Sequence, residues 1–178
     1  MRRRSAVVLA IAAASAGLAL AGPTAAGFRF NATSSMPIGL WRVEPAPPML
    51  HRGDIVTACL PAGPIARLAL RRDYVEPGNC PSRTMPLVKP VAATAGDTVR
   101  VTSAGISVDG NPIPNSAALS RDAAGRVMHA MAPGVYRVRP GEVWLLSGHL
   151  AESFDSRYFG ALPRSAVQNV AHPVWVLQ

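Results

Sequence analysis

Apolar and polar positions divide the chain into one opening apolar block and a long remainder of short, punctuated runs. Ser5 to Gly22 contains no charged residue. As a helix rising about 1.5 Å per residue it would span roughly 27 Å, close to the hydrocarbon thickness of a bilayer. Pro23 to Ser34 is polar and built of small residues, and it reads as a tether. "GDIVTAC" alternates and predicts a strand, whereas Ile65, Leu68 and Leu70 recur through "PIARLALRRDY" as in a short helix. "PLVKPVAAT" predicts a strand, and "GDTVRVTSAGISVDG" predicts two, joined at Ala104-Gly105 and ended by an Asp109-Gly110 turn. After a looser stretch from Asn111 to Pro133, "GVYRVRPGEVWLLSG" predicts a hairpin turning at Pro140-Gly141, and "VAHPVWVL" a closing strand. With 17 prolines and 15 glycines between short strands, the pattern indicates a mainly β class, a folded sheet or small barrel of short antiparallel strands.

Composition changes this picture mainly at the N-terminus. The 178 residues, 49% apolar, suffice for one domain with a core. The formal net charge is +8, but Arg2, Arg3 and Arg4 supply three of those charges and the others are scattered without an aromatic-lined basic stripe. That pattern argues against a nucleic-acid partner. Three arginines ahead of an apolar span instead hold the start of a transmembrane helix in the cytoplasm and send the remainder across. A cleavable secretory signal also fits, since Ala19-Leu20-Ala21 and Thr24-Ala25-Ala26 both have the small-x-small form of a cleavage site. Either way residues 1–26 form a membrane anchor or signal segment, and residues 27–178 an exported domain. The expected location is the inner membrane, with the domain in the periplasm. Two cysteines, Cys59 and Cys80, have no partner at metal-ligand spacing, and in an exported chain the pair favours a disulfide over two buried thiols.

Candidate chemistry begins at "TSSMPIGLW", where Ser34 and Ser35 precede a proline and a glycine. A nucleophilic serine needs a base within hydrogen-bond reach and donors for the oxyanion that follows. Four histidines, His51, His129, His149 and His172, are present, none in a nucleophile motif with Ser35. The lysine count says more: beside seventeen arginines there is one lysine, Lys89, within the apolar run "PLVKPVAAT". Arginine never surrenders its proton in a protein, whereas a desolvated lysine does and then serves as a base. An exposed strand lysine is the bland alternative. Pro37 and Gly39 are expected to shape a turn that presents the Ser35 hydroxyl.

Ser35 directly before Met36-Pro37, Lys89 ahead of "AGDTV", and "SFDSRYFG" from Ser153 to Gly160 together resemble the serine/lysine signal peptidases. The resemblance runs from about Asn31 to the C-terminus. "SSMPIGLW", "DYVEPGNCP" and "SFDSRYFGAL" place it beside the conjugative-transfer peptidases of that family, which mature pilin subunits. It implies a signal-peptidase-like fold, Ser35 as nucleophile, Lys89 as general base and Asp155 as the carboxylate supporting the site. It further implies that Arg157 pairs with Asp155 or with backbone, that Ser153 orients the lysine amine, and that the Thr33 hydroxyl joins the Ser35 N–H in the oxyanion hole. Ser147-Gly148-His149 departs from the Gly-Asp-Asn that usually opens the acidic box.

The function so implied is a membrane-anchored serine endopeptidase that processes an exported or membrane-embedded, pilin-like precursor. Its acyl-enzyme is released by water or by the pilin's own amine, the latter giving a circular product. No metal or cofactor is called for. A general type I signal peptidase is the alternative enzyme, and a non-catalytic periplasmic assembly domain the alternative outside enzymology.

Overall fold

The computed structural model describes residues 27–32 and 36–177. The expected membrane segment, residues 1–26, and the hydroxyl residues Thr33, Ser34 and Ser35 lie outside the described residues. Among those described, no helix is long and apolar enough to cross a membrane.

Alternation along the strands decides the architecture, because successive side chains point to opposite faces of a sheet. In chain order the elements are β1 (Phe28–Asn31), β2 (Gly39–Pro45), β3 (Ile55–Ala58), α1 (Pro64–Arg71), β4 (Leu87–Ala93), β5 (Thr98–Thr102), β6 (Gly105–Val108), β7 (Asn111–Pro112), β8 (Gly134–Arg137), β9 (Glu142–Leu145), α2 (Ser156–Phe159), β10 (Leu162–Pro163) and β11 (Val167–Val176). Among the described residues they form one sheet in the order β1-β2-β11-β3-β4-β9-β10 and a smaller one in the order β7-β6-β5-β8, with neighbours antiparallel. The expected mainly β class is what is found.

Two cores follow from this arrangement. α1 begins with Pro64, whose missing N–H costs nothing at a helix start, and turns Ala66 and Ala69 inward. Those alanines pack with Val56, Leu60, Leu87, Val91, Leu145 and Phe154 on one face of the large sheet. Trp144 and Leu146 belong instead to a second cluster with Val99, Val101, Ile106 and Val108 of the small sheet. Outside the cores, Arg52 bonds Asp97 at 2.7 Å and also meets Asp109, linking the turn before β3 to the turns on either side of the β5–β6 hairpin.

Two expectations are corrected. The supposed tether contains β1, which pairs with β2 at Phe28↔Arg42 and Asn31↔Gly39; the Phe-Arg-Phe alternation was a strand signal set among small polar residues. The supposed hairpin at Pro140-Gly141 is two strands in different sheets, β8 pairing with β5 and β9 with β4 and β10. The cause is burial. Val143, Trp144 and Leu145 are all buried, which needs cover on both faces, whereas β8 remains largely exposed. Val138, 2% exposed, makes the switch by exchanging backbone bonds with the Gly96-Asp97 turn.

Candidate active site

β4 buries every second side chain, and one of them is the lysine: Leu87, Lys89, Val91 and Ala93 point inward. Lys89 stands opposite Val56 of β3, which has no exposed surface, and is itself 4% exposed. Among the described residues no carboxylate lies within ion-pair distance of its amine. Burial disfavours the ammonium form and lowers the Lys89 pKa to about 8, against a smaller upward pull from Asp155 and with a small downward push from Arg157.

The weakness of the Asp155 pull has a structural cause. Asp155 and Arg157 are both buried, and the guanidinium grips the carboxylate with two bonds, Nε to Oδ1 at 2.8 Å and Nη2 to Oδ2 at 3.0 Å. Asp155 Oδ1 also caps α2 by accepting the Arg157 N–H at 3.2 Å, and Oδ2 accepts the Ser147 N–H at 3.0 Å. Arg157 donates in addition to the carbonyls of Ser147, Ala151 and Asn115 at 2.8, 2.7 and 2.9 Å. The carboxylate is thus saturated by partners other than Lys89. Its field at the amine is offset by the adjoining guanidinium.

Ser153, two residues before Asp155, is 2% exposed, and its Oγ is buried with no hydrogen-bond partner among the described residues. A buried hydroxyl in that condition costs about 1 to 3 kcal/mol. Thr33 and Ser35 lie outside the described residues, but the segment just after them is held firmly. Met36 is buried in a cluster with Trp41 and Ala171, and Val88, the chain neighbour of Lys89, packs against that cluster. Asn31 Nδ2 donates to the carbonyls of Met36 and Pro37, both at 3.1 Å, and Trp41 Nε1 donates to Pro37 O at 3.2 Å.

Gly39 does not shape the expected turn; it opens β2 at φ +150°, where a Cβ would stand 2.2 Å from the Trp175 carbonyl oxygen. Its role is to let β11 pass close to β2. Asn31 and Ser147 are the residues that the sequence reading missed. Asn31 directs its side-chain amide at backbone carbonyls five and six positions on, and Ser147 meets the acidic pair through its own backbone, so neither bonds a partner whose side chain marks it in the sequence.

The four histidines are exposed. Cys59 and Cys80 are joined by a disulfide. Among the described residues no group of three or more His, Cys, Asp or Glu side chains could hold a metal. Two hollows of about 250 and 320 Å³ open beside the site, neither lined by Lys89; the larger has Arg157 in its wall. The arrangement offers a water-shielded amine that releases its proton near pH 8, backed by a neutralised acidic pair.

The chain is similar to proteins of one family over nearly its whole length. The family model described as signal peptidase, peptidase S26, matches residues 2–176. The conjugal transfer protein TraF of Agrobacterium fabrum (strain C58) is 40% identical over 164 residues, covering 90% of this chain and 91% of its own. The plasmid transfer protein TraF of Escherichia coli is 37% identical over 172 residues, covering 97% of this chain and 96% of its own. A solved signal peptidase I from Enterococcus faecalis V583 is 18% identical with a TM-score of 0.37, over 73% of this chain and 97% of that one.

Proposed function

Because the chain belongs to the signal peptidase S26 family and is similar to TraF proteins over nearly its whole length, we propose that it is a serine endopeptidase that matures a conjugative pilin precursor. One observation carries the reading: the only lysine of the chain is buried in an apolar strand face and holds a pKa of about 8. In this reaction the neutral Lys89 Nζ takes the Ser35 hydroxyl proton as Ser35 Oγ attacks the scissile carbonyl. The Ser35 N–H and the Thr33 hydroxyl receive the oxyanion. Lys89 then returns the proton to the leaving amine, which departs and leaves an acyl ester on Ser35. Water opens the ester to give a free carboxylate, or the precursor's own N-terminal amine attacks it to give a circular subunit. Ser153 Oγ, buried with no partner among the described residues, supports a role in orienting the neutral amine. The Asp155-Arg157 pair holds the loop that carries it.

Residues 1–26 anchor the enzyme in the inner membrane in this reading, and the domain faces the periplasm. The disulfide fits an oxidising compartment. Phe30, Val174, Trp175 and Leu177, all more than half exposed at the β1–β2–β11 end of the large sheet, offer apolar side chains suited to a lipid surface.

The test is incubation of the full-length enzyme with candidate pilin precursor, read by intact mass. A circular product lacks one water relative to the hydrolysed one, so the two fates are separated in one spectrum. Processing that stops in Ser35→Ala while Ser34→Ala remains active supports the assignment. Processing by Ser35→Ala removes it. Equal cleavage of unrelated preproteins would favour a general signal peptidase.

A further inference from the structure

The disulfide sits at a mechanically telling place. Cys59 follows β3 directly, and Cys80 lies in a tight turn whose far side leads into β4 two residues beyond Met85. That turn is closed by backbone bonds from Cys80 N to Thr84 O at 3.0 Å and from Arg83 N to Cys80 O at 2.7 Å. The bridge therefore joins the two ends of the excursion that separates β3 from β4, at the point where Ala58 pairs with Leu87 and two residues from where Val56 pairs with Lys89. The excursion also covers the face of the sheet from which Lys89 projects. Leu60, Ala66, Ala69 and Val75, all lying between the two cysteines, are buried against Val56, Leu87 and Val91 on that face.

We propose that the Cys59–Cys80 disulfide is a positioning element for catalysis, pinning the excursion over the Lys89 face so that water is kept from the amine and activity depends on the oxidised bridge. The proposal rests on the reading of Lys89 as general base. Charged groups of the excursion, Arg67, Arg71, Asp73 and Glu76, point to solvent, and Arg72 is engaged by the Val127 carbonyl at 2.8 Å. The charges that act on Lys89 are Asp155 and Arg157, which are held by each other and by backbone groups of Ser147, Ala151 and Asn115, none of them in the excursion. Opening the bridge breaks none of those bonds, so the change expected at the amine is in its hydration. The consequence is a rise toward the ordinary lysine value.

Full-length protein labelled with 13Cε-lysine gives one side-chain signal, since Lys89 is the only lysine. Its titration midpoint is to be followed in the oxidised protein, in protein held in dithiothreitol, and in the Cys59→Val/Cys80→Ala variant. Dithiothreitol passes two electrons and two protons to the bridge, leaving two thiols and its own cyclic disulfide. The expected result is a midpoint of about 8 when oxidised and at least about one unit higher when the bridge is open. Activity at pH 7 should then fall about tenfold and recover to within about twofold of the oxidised protein at pH 10. An unmoved midpoint in folded, bridge-open protein overturns the positioning role and leaves the base intact. Loss of the folded near-UV circular dichroism in both bridge-open forms overturns it too, because the bridge would then be holding the domain and not the amine. A midpoint near 10.5 in the oxidised protein removes Lys89 as base, whatever the bridge does.

Discussion

Lys89 shows how function opposes stability at a single residue. A fall in pKa from 10.5 to about 8 corresponds, at about 1.4 kcal/mol per unit, to roughly 3 kcal/mol against the charged form in the fold. The lysine of the unfolded chain titrates higher, so between pH 8 and 10.5 the unfolded state holds a proton that the folded state has lost, and stability rises with pH across that window. Below about 8 both states hold the proton and the full penalty applies. Lys89→Met should accordingly be inactive yet more stable than the parent by about 2 to 4 kcal/mol at pH 7, with the gain shrinking toward pH 10. Urea denaturation at the two pH values measures this; a destabilised Lys89→Met would show that the amine is well solvated or favourably paired. Lys89 was legible in the sequence because it is the one lysine among seventeen arginines and its neighbours are apolar. Asn31 and Ser147 were not legible, since their bonds run to or from backbone groups that any residue possesses.

At the scale of elements, the four-residue α2 is too short to be stable by itself and exists because Asp155 caps it and Arg157 ties it to three neighbouring segments. Removing the guanidinium leaves a buried carboxylate without a counter-charge. Arg157→Ala should therefore cost about 3 to 5 kcal/mol, and the double variant Asp155→Asn/Arg157→Ala less than the sum of the single losses. Denaturation of the four proteins in the cycle decides it, and additive losses would mean that the two side chains act separately. Strand positions read from alternation agree with β3 to β6 and β11, where the pattern is local. The Pro140-Gly141 hairpin did not follow, because a turn signal states that the chain reverses and not which strand it meets afterwards. β9 found its partners in β4 and β10, just over fifty positions and about twenty positions away, because burying three consecutive apolar residues needs more cover than one exposed strand supplies.

For the molecule as a whole, the large sheet is a device for bringing distant sequence boxes together. β2, which follows the Ser35 stretch, β4 with Lys89, and β9, which leads to Asp155, are separated along the chain but belong to one sheet, and Met36 and Val88 meet in one apolar cluster across it. The motif spacing was readable in sequence. The order β2-β11-β3-β4-β9 was not, since the final strand of the chain inserts between two early ones and no local pattern encodes that insertion. Whether neutral Lys89 activates Ser35 is read from the pH dependence of kcat/KM on a pilin-derived substrate, measured for the full-length enzyme and for Lys89→Arg. A lysine base gives a limb rising about tenfold per pH unit to a plateau above about pH 8, and no activity at any pH in Lys89→Arg, which keeps the charge but never becomes a base. Near-normal turnover in Lys89→Arg, or a limb that climbs without levelling until about pH 10.5, would contradict it.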